Sequence, residues 1–247
     1  NEFLSFTHKP AGEQAVNEFL SRGAFPGLIK TGHTEALHQL YTEILCKDAI
    51  IAGGIRDRNT LQRMALHLIT NTGEPVTANK LREKLKIKAV STAAEHMQCI
   101  ETAGLVRFVS ILSDNPARQA VNPRKVYAVD TALAAAVSTA ETVDRNKLFE
   151  TMLFNHLCRE SRSVCYTNEQ GGCDFIASDA EGGVRCIQAC YDDDPDLMQT
   201  KTDGLLWALR QTGASRGTIV TADRNDRIDA ENFEIEVIDA DTFLGGY

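Results

Sequence analysis

Apolar residues recur at helical spacing through the first part of this 247-residue chain and then give way to the shorter alternation of strands. Residues 13–21 read as a helix, which Gly23-Ala24-Phe25-Pro26-Gly27 interrupts with a proline-bearing turn. A longer amphipathic helix is expected over residues 34–48, with Leu37, Leu40, Tyr41, Ile44 and Leu45 on one side. Gly53-Gly54 and Arg56-Asp57-Arg58 mark its exit. Leu61, Met64, Ala65, Leu68 and Ile69 give residues 60–70 an inward stripe. After the turn Thr72-Gly73-Glu74-Pro75, Thr77 can cap a short helix over 78–85 that turns Leu81 and Leu85 inward. A third helix is expected from Ser91 or Thr92, where Thr92 and Glu95 fit a capping box. Met97, Ile100 and Leu105 continue at core spacing, and Gly104 is placed to close that helix. Two strand-like runs follow, 106–112 and 125–129, around a polar loop from Ser113-Asp114-Asn115-Pro116 to Asn122-Pro123.

Three helices followed by a two-stranded ribbon make the plan of a winged helix-turn-helix, with the polar loop as its wing. Asn146-Lys147-Leu148-Phe149-Glu150 then opens an amphipathic run through Leu153, Phe154 and Leu157. Three short strands are expected at 164–166, 173–176 and 184–191, punctuated by Gly171-Gly172 and Gly182-Gly183. In the last of them Cys186, Gln188 and Cys190 share one face, while Ile187, Ala189 and Tyr191 face the other way. The expected fold class is α+β, divided into a helical lead-in (1–58), a winged helix-turn-helix domain (59–140) and an α/β domain (141–247).

Composition adds three constraints. With 43% apolar and 24% charged residues the chain is ordinary globular material. No apolar run approaches the roughly 20 residues of a membrane span, and no secretory leader is visible, so no membrane partner is expected. The seven cysteines form no C-x-x-C pair and no zinc spacing, which points to thiols in a reduced, cytoplasmic compartment. Cys46, Cys99, Cys158 and Cys186 fall on apolar faces, as small hydrophobes do. Asn1-Glu2-Phe3-Leu4 carries no initiator Met and runs straight into structure-like sequence, so the chain reads as a fragment of a longer protein.

Charge is unevenly spread. Residues 59–130 hold ten Lys and Arg against six Asp and Glu, whereas residues 131–247 hold ten against twenty-one, including Asp192-Asp193-Asp194 and Asp196. An acidic domain is a poor dock for a phosphate backbone. The basic candidates for DNA contact are Lys80, Arg82, Lys84, Lys86 and Lys88 before the third helix, with Arg118, Arg124 and Lys125 in the wing. The third helix itself offers Glu95, His96, Gln98 and Glu101 and no Arg, although bidentate Arg to guanine is the commonest specific base contact. Phosphate contact or protein docking therefore suits it better than base readout.

Asp174-Phe175, followed about a dozen residues later by Ile187-Gln188-Ala189-Cys190-Tyr191, is similar to the core of restriction-endonuclease-type nucleases. Such nucleases place Glu-x-Lys where this chain has Gln188-Ala189-Cys190. The resemblance implies Asp174 as a surviving metal-site acid and Glu150 as the extra acid some of them carry on the preceding helix. Gln188 and Cys190 then stand where an anionic ligand and a cation are needed, and metal-assisted phosphodiester hydrolysis requires both. Cys190 makes a poor nucleophile, since no His lies near it in sequence; His156, on the helix of Glu150, is the nearest.

Over nearly its whole length the chain resembles the region that follows the ATPase module in a family of bacterial and archaeal AAA-type ATPases. The likeness rests on Gly23-Ala24-Phe25-Pro26, on Leu40-Tyr41 through Lys47-Asp48-Ala49-Ile50, on Lys125-Val126-Tyr127-Ala128-Val129-Asp130, on Leu148-Phe149-Glu150 and on the two nuclease-like strands. Ala24 replaces a second Gly of that pattern, and Asn146 stands where a Gly often precedes the helix acid. No phosphate-binding loop of the form G-x-x-x-x-G-K-[ST] occurs, so ATP and Mg²⁺ would belong only to an upstream module. The resemblance implies a non-catalytic accessory region whose partners are the ATPase module, a protein or DNA. The alternatives are a metal-dependent nuclease with substituted ligands and a winged-helix DNA-binding regulator.

Overall fold

The computed structural model describes residues 2–7, 10–29, 34–51, 53–113, 115–138, 144–169, 171–192 and 194–245. The expected domain boundary at 140/141 lies outside them, as do Asn1, Asp114 and Asp193. The chain is α+β with two sheets. Helices α1 (Glu2–Thr7), α2 (Glu13–Arg22), α3 (Pro26–Ile29) and α4 (Thr34–Ile44) lead in. The helix expected to run on to residue 48 changes register at Leu45. Residues Leu45–Ile51 form a π-helix, whose wider turn sets Leu45, Ala49 and Ile50 into the core together.

Helix α5 (Arg58–Thr70) buries all five residues of its stripe and is capped by Asp57, which accepts from Thr60 N at 3.1 Å. Thr77 does the same for α6 (Ala78–Leu85) through Lys80 N, and Lys86 ends that helix in the left-handed region at φ 57°. Helix α7 (Val90–Thr102) starts earlier than its sequence signals. Ala89 is the N-cap and lends no side-chain bond, so the Thr92–Glu95 capping box does not form.

The ribbon has a third strand. β1 (Pro75–Val76), β2 (Val106–Val109) and β3 (Arg124–Ala128) pair antiparallel in the order β1-β3-β2. Pro75 reads as a turn, yet a proline is tolerated at the start of an edge strand because it removes no ladder donor there. The loop between β2 and β3 is also more ordered than expected. It holds α8 (Pro116–Val121), which Asn115 caps through Ala117 N at 2.9 Å.

Asp130 then opens α9 (Thr131–Val137), accepting from Leu133 N at 2.9 Å and from Ala24 N at 2.6 Å. Gly23 sits at φ 69°, and a Cβ there would meet the Asp130 carboxylate at 2.3 Å. The Gly23-Ala24 turn and the Asp130 helix start are therefore one interlocked joint.

The larger sheet follows α10 (Arg145–Glu160). It contains β4 (Ser163–Cys165), β5 (Phe175–Ser178), β6 (Val184–Cys190), β7 (Arg216–Thr221), β8 (Asp226–Ala230) and β9 (Phe233–Asp239). Their order is β4-β5-β6-β7-β9-β8, with β6–β7 and β7–β9 parallel and the other pairs antiparallel. Helix α11 (Pro195–Thr212) joins β6 to β7, and α12 (Ala240–Gly245) closes the described chain. Period-two alternation holds on β6, which is buried on both faces. Ile187 and Ala189 enter a core shared with α10 and the lead-in helices, while Cys186 and Cys190 enter a second core under α11 with Leu205 and Leu209.

The first core runs without interruption from Val16 to Phe243. The segments that follow β2 and β4 are also bonded to each other: Leu112 N donates to Tyr166 O at 2.7 Å, and Tyr166 N to Ser110 O at 3.2 Å. No helix among the described residues is long and apolar enough to cross a membrane. All seven cysteines are thiols.

Candidate functional site

Asp174 lies just before β5, at the edge where the large sheet faces β3 and α10. Its Oδ2 accepts from Ala189 N at 3.1 Å, which pins the carboxylate to β6. Two ammonium groups complete its surroundings: Lys125 Nζ from β3 lies 3.1 Å from Oδ1, and Lys201 Nζ from α11 lies 2.5 Å from Oδ2. Lys125 also reaches Glu150 Oε1 at 2.8 Å, and that oxygen accepts the Tyr127 hydroxyl at 2.5 Å. Two carboxylates and two ammoniums thus form one neutral cluster with at most 19% of any of the four side chains exposed.

Burial alone would raise the Asp174 carboxyl, but Lys201 and Lys125 outweigh it and hold the group well below the usual carboxylate range. Burial likewise disfavours charge on both lysines, and the facing carboxylates reverse that and raise them. Both lysines and Asp174 are therefore charged at neutral pH. Tyr127 is pushed far up by burial and by Glu150, so its hydroxyl stays a donor.

Gln188 is fully buried and its amide is bonded at both ends. Oε1 accepts from Asp174 N at 3.1 Å, and Nε2 donates to Gly172 O at 2.8 Å and Lys201 O at 3.0 Å. The close approach of α11 depends on Gly204, where a Cβ would meet Gly172 O at 2.0 Å. Cys190 does not join the cluster. Its thiol lies in the core under α11 and donates to Asp192 O at 3.4 Å. His156 packs against Phe243 with its Nε2 3.2 Å from Glu160, on the wall of a different cavity.

These residues do not fit a divalent metal. Such an ion needs several anionic or carbonyl oxygens turned toward one point. Here both Asp174 oxygens and Glu150 Oε1 already accept from lysine, and the Gln188 oxygen accepts from the backbone. A cavity of about 380 Å³ opens onto Lys125 and Asp174, with Lys80, Tyr166 and Asn168 around it. A larger one, about 450 Å³, lies among Phe3, Val16, Phe19, Met152 and His156. Its buried Asp130 is spent on the helix cap, so the smaller cavity is the one beside reactive chemistry.

The basic candidates separate into two groups. Lys80, Lys84, Lys86, Lys88 and Arg118 are the outward set, and Lys84, Lys86 and Lys88 lie closest together in sequence. Lys84 approaches α5 closely enough that, after burial, its charge is the second influence holding His67 below the ordinary histidine value. Arg82 is tied to Glu83 at 3.0 Å, and the Arg124 guanidinium covers the Phe108 ring at 4.5 Å. Lys125, expected at the wing to meet phosphate, points inward instead, because two buried carboxylates attract it more strongly than water does. Lys201 is the member of the cluster that the sequence does not mark: it lies 27 residues beyond Asp174, on a helix that no motif announces.

A family model described as Domain of unknown function (DUF8612) matches residues 13–144, more than half of the chain, and the chain belongs to that family. Neither a curated protein nor a solved structure matches it.

Proposed function

We propose that this member of the DUF8612 family is a non-catalytic accessory region: a winged helix-turn-helix unit fixed to a degenerate restriction-endonuclease-like sheet, serving an AAA-type ATPase as a docking module for a protein or for DNA. The observation that carries the non-catalytic part is the neutral quartet. Asp174 and Glu150 do converge, but their charge is already balanced by Lys125 and Lys201. Hydrolysis of a phosphodiester would need that charge for a metal ion and an open coordination position for water. The strand order around Asp174 and the antiparallel ribbon below α7 support the two fold assignments.

The test is incubation of the purified chain with single- and double-stranded DNA in Mg²⁺ or Mn²⁺. No cleavage above the metal-only control is expected. Metal-dependent cleavage that vanishes in Asp174→Ala protein would restore the nuclease reading.

The Lys84, Lys86 and Lys88 ammoniums, which make no ion pair among the described residues, favour DNA as one partner. Binding is then weak and sequence-tolerant, because α7 carries no Arg for base edges. Replacing Lys84, Lys86 and Lys88 by Ala should lower the slope of log affinity against log salt by about 2–3, since each lysine that neutralises a phosphate adds close to one to that slope. Unchanged binding by the triple variant in a salt titration would move the DNA interface elsewhere.

A further inference from the structure

We infer that the ammonium groups of Lys125 and Lys201 occupy the cation position of the Asp174–Glu150 pair, and that this internal cation locks the three-stranded sheet to the six-stranded one. The charge balance is the first argument. Two carboxylates that face each other repel unless a cation lies between them, and two ammoniums carry the same charge as one divalent ion. The geometry is the second. Lys125 Nζ touches one oxygen from each acid, at 2.8 and 3.1 Å, which is the bridging place between the pair. Lys201 Nζ takes the other Asp174 oxygen at 2.5 Å.

The origin of the four groups is the third argument. Lys125 comes from β3, Glu150 from α10, Asp174 from the entry to β5 and Lys201 from α11. A diffusible ion would hold the two acids together; lysines on two further elements bind all four segments to one another. Gln188 extends the lock by tying the start of β5 to the Lys201 backbone. The chain thus holds covalently attached charge where an exchangeable ion would fit, and the cavity at Asp174 gives solvent ions a route to the site if that charge is removed.

The inference concerns the same site as the non-catalytic reading but is tested without nucleic acid, so the two stand or fall separately. Mn²⁺ binding is followed by electron paramagnetic resonance, and thermal unfolding with and without Mn²⁺, for the wild type, Lys201→Met, and Lys125→Met/Lys201→Met. The wild type is expected to show no saturable Mn²⁺ site that depends on Asp174. The double variant is expected to bind Mn²⁺ at least tenfold more tightly than the wild type, Lys201→Met to gain a weaker site at the freed Asp174 oxygen, and Asp174→Asn added to either should abolish the gain. With Mn²⁺ at ten times its Kd, the variant midpoint should rise by roughly 3–5 °C. If the double variant does not fold, Lys201→Met decides, because Lys125 still joins both acids there. Folding of Lys201→Met only when Mn²⁺ is present also supports the inference. Asp174-dependent Mn²⁺ binding by the wild type overturns it. So does a Lys201→Met protein that binds no better than the wild type, or one that Mn²⁺ fails to rescue.

Discussion

Asp174→Ala is expected to lower the unfolding free energy by about 3–5 kcal/mol at pH 7, which is a large share of the roughly 5–15 kcal/mol that holds a domain folded. The substitution removes the carboxylate from between two buried ammoniums and leaves Lys201 without a carboxylate in direct contact among the described residues. It also strips an acceptor from Ala189 N on the central strand. The pH dependence follows from the direction of the shift. Asp174 is held below its unfolded value, so its contribution is fully present above about pH 4 and is lost only as pH falls through the lower folded value. Urea unfolding of the two proteins should therefore give a gap that is constant from about pH 5 to 7 and narrows in stronger acid. A gap under about 1 kcal/mol at pH 7 would mean that water, and not lysine, satisfies the carboxylate.

The second large effect is expected at Gln188. Gln188→Glu, which would place an acid beside Asp174, is expected to destabilise the fold by about 2–4 kcal/mol at pH 7. The amide nitrogen of Gln188 donates to the carbonyls of Gly172 and Lys201, and a carboxylate would set a negative oxygen against both. Only the protonated acid can donate to one of them. The introduced carboxyl should thus have a folded pKa above its unfolded value of about 4.3. The variant's deficit is then smallest below about pH 4 and grows as pH rises toward the folded value. Parallel unfolding curves at pH 4 and pH 7 measure this. A deficit that is equal at both pH values, or an Asp174-dependent nuclease activity gained by the variant, would refute the account of Gln188 as a backbone tie.

The legible parts of this chain are those where one local signal decides. The α5 stripe is readable because Leu61, Met64, Ala65, Leu68 and Ile69 all face one core. The two faces of β6 are readable because each residue alternates into a different core. Asp174 and Glu150, far apart in sequence, approach one ammonium, that of Lys125. What escapes depends on neighbours distant in sequence. Pro75 has the chemistry of a turn and becomes a strand only because β3 offers it an edge. The start of α7 carries no side-chain cap, so Thr92 does not mark where the helix begins. Lys125 looks like any solvent-facing lysine until α10 and the entry to β5 bring their acids to it. Nothing within a few residues of Lys201 marks it as the partner of Asp174, and residues 195–245 hold two helices and three strands that no motif announces.

The quartet also sets an order of events in time. Lys125 is synthesised 49 residues before Asp174, and Lys201 appears only after both acids. Until the two acids are made, β3 can pair with β1 and β2, but its lysine has neither Glu150 nor Asp174 to leave water for. The inward rotamer of Lys125 waits for α10 and the entry to β5 to bring Glu150 and Asp174 to it. The quartet is therefore completed by Lys201, on a helix that follows both acids in the chain.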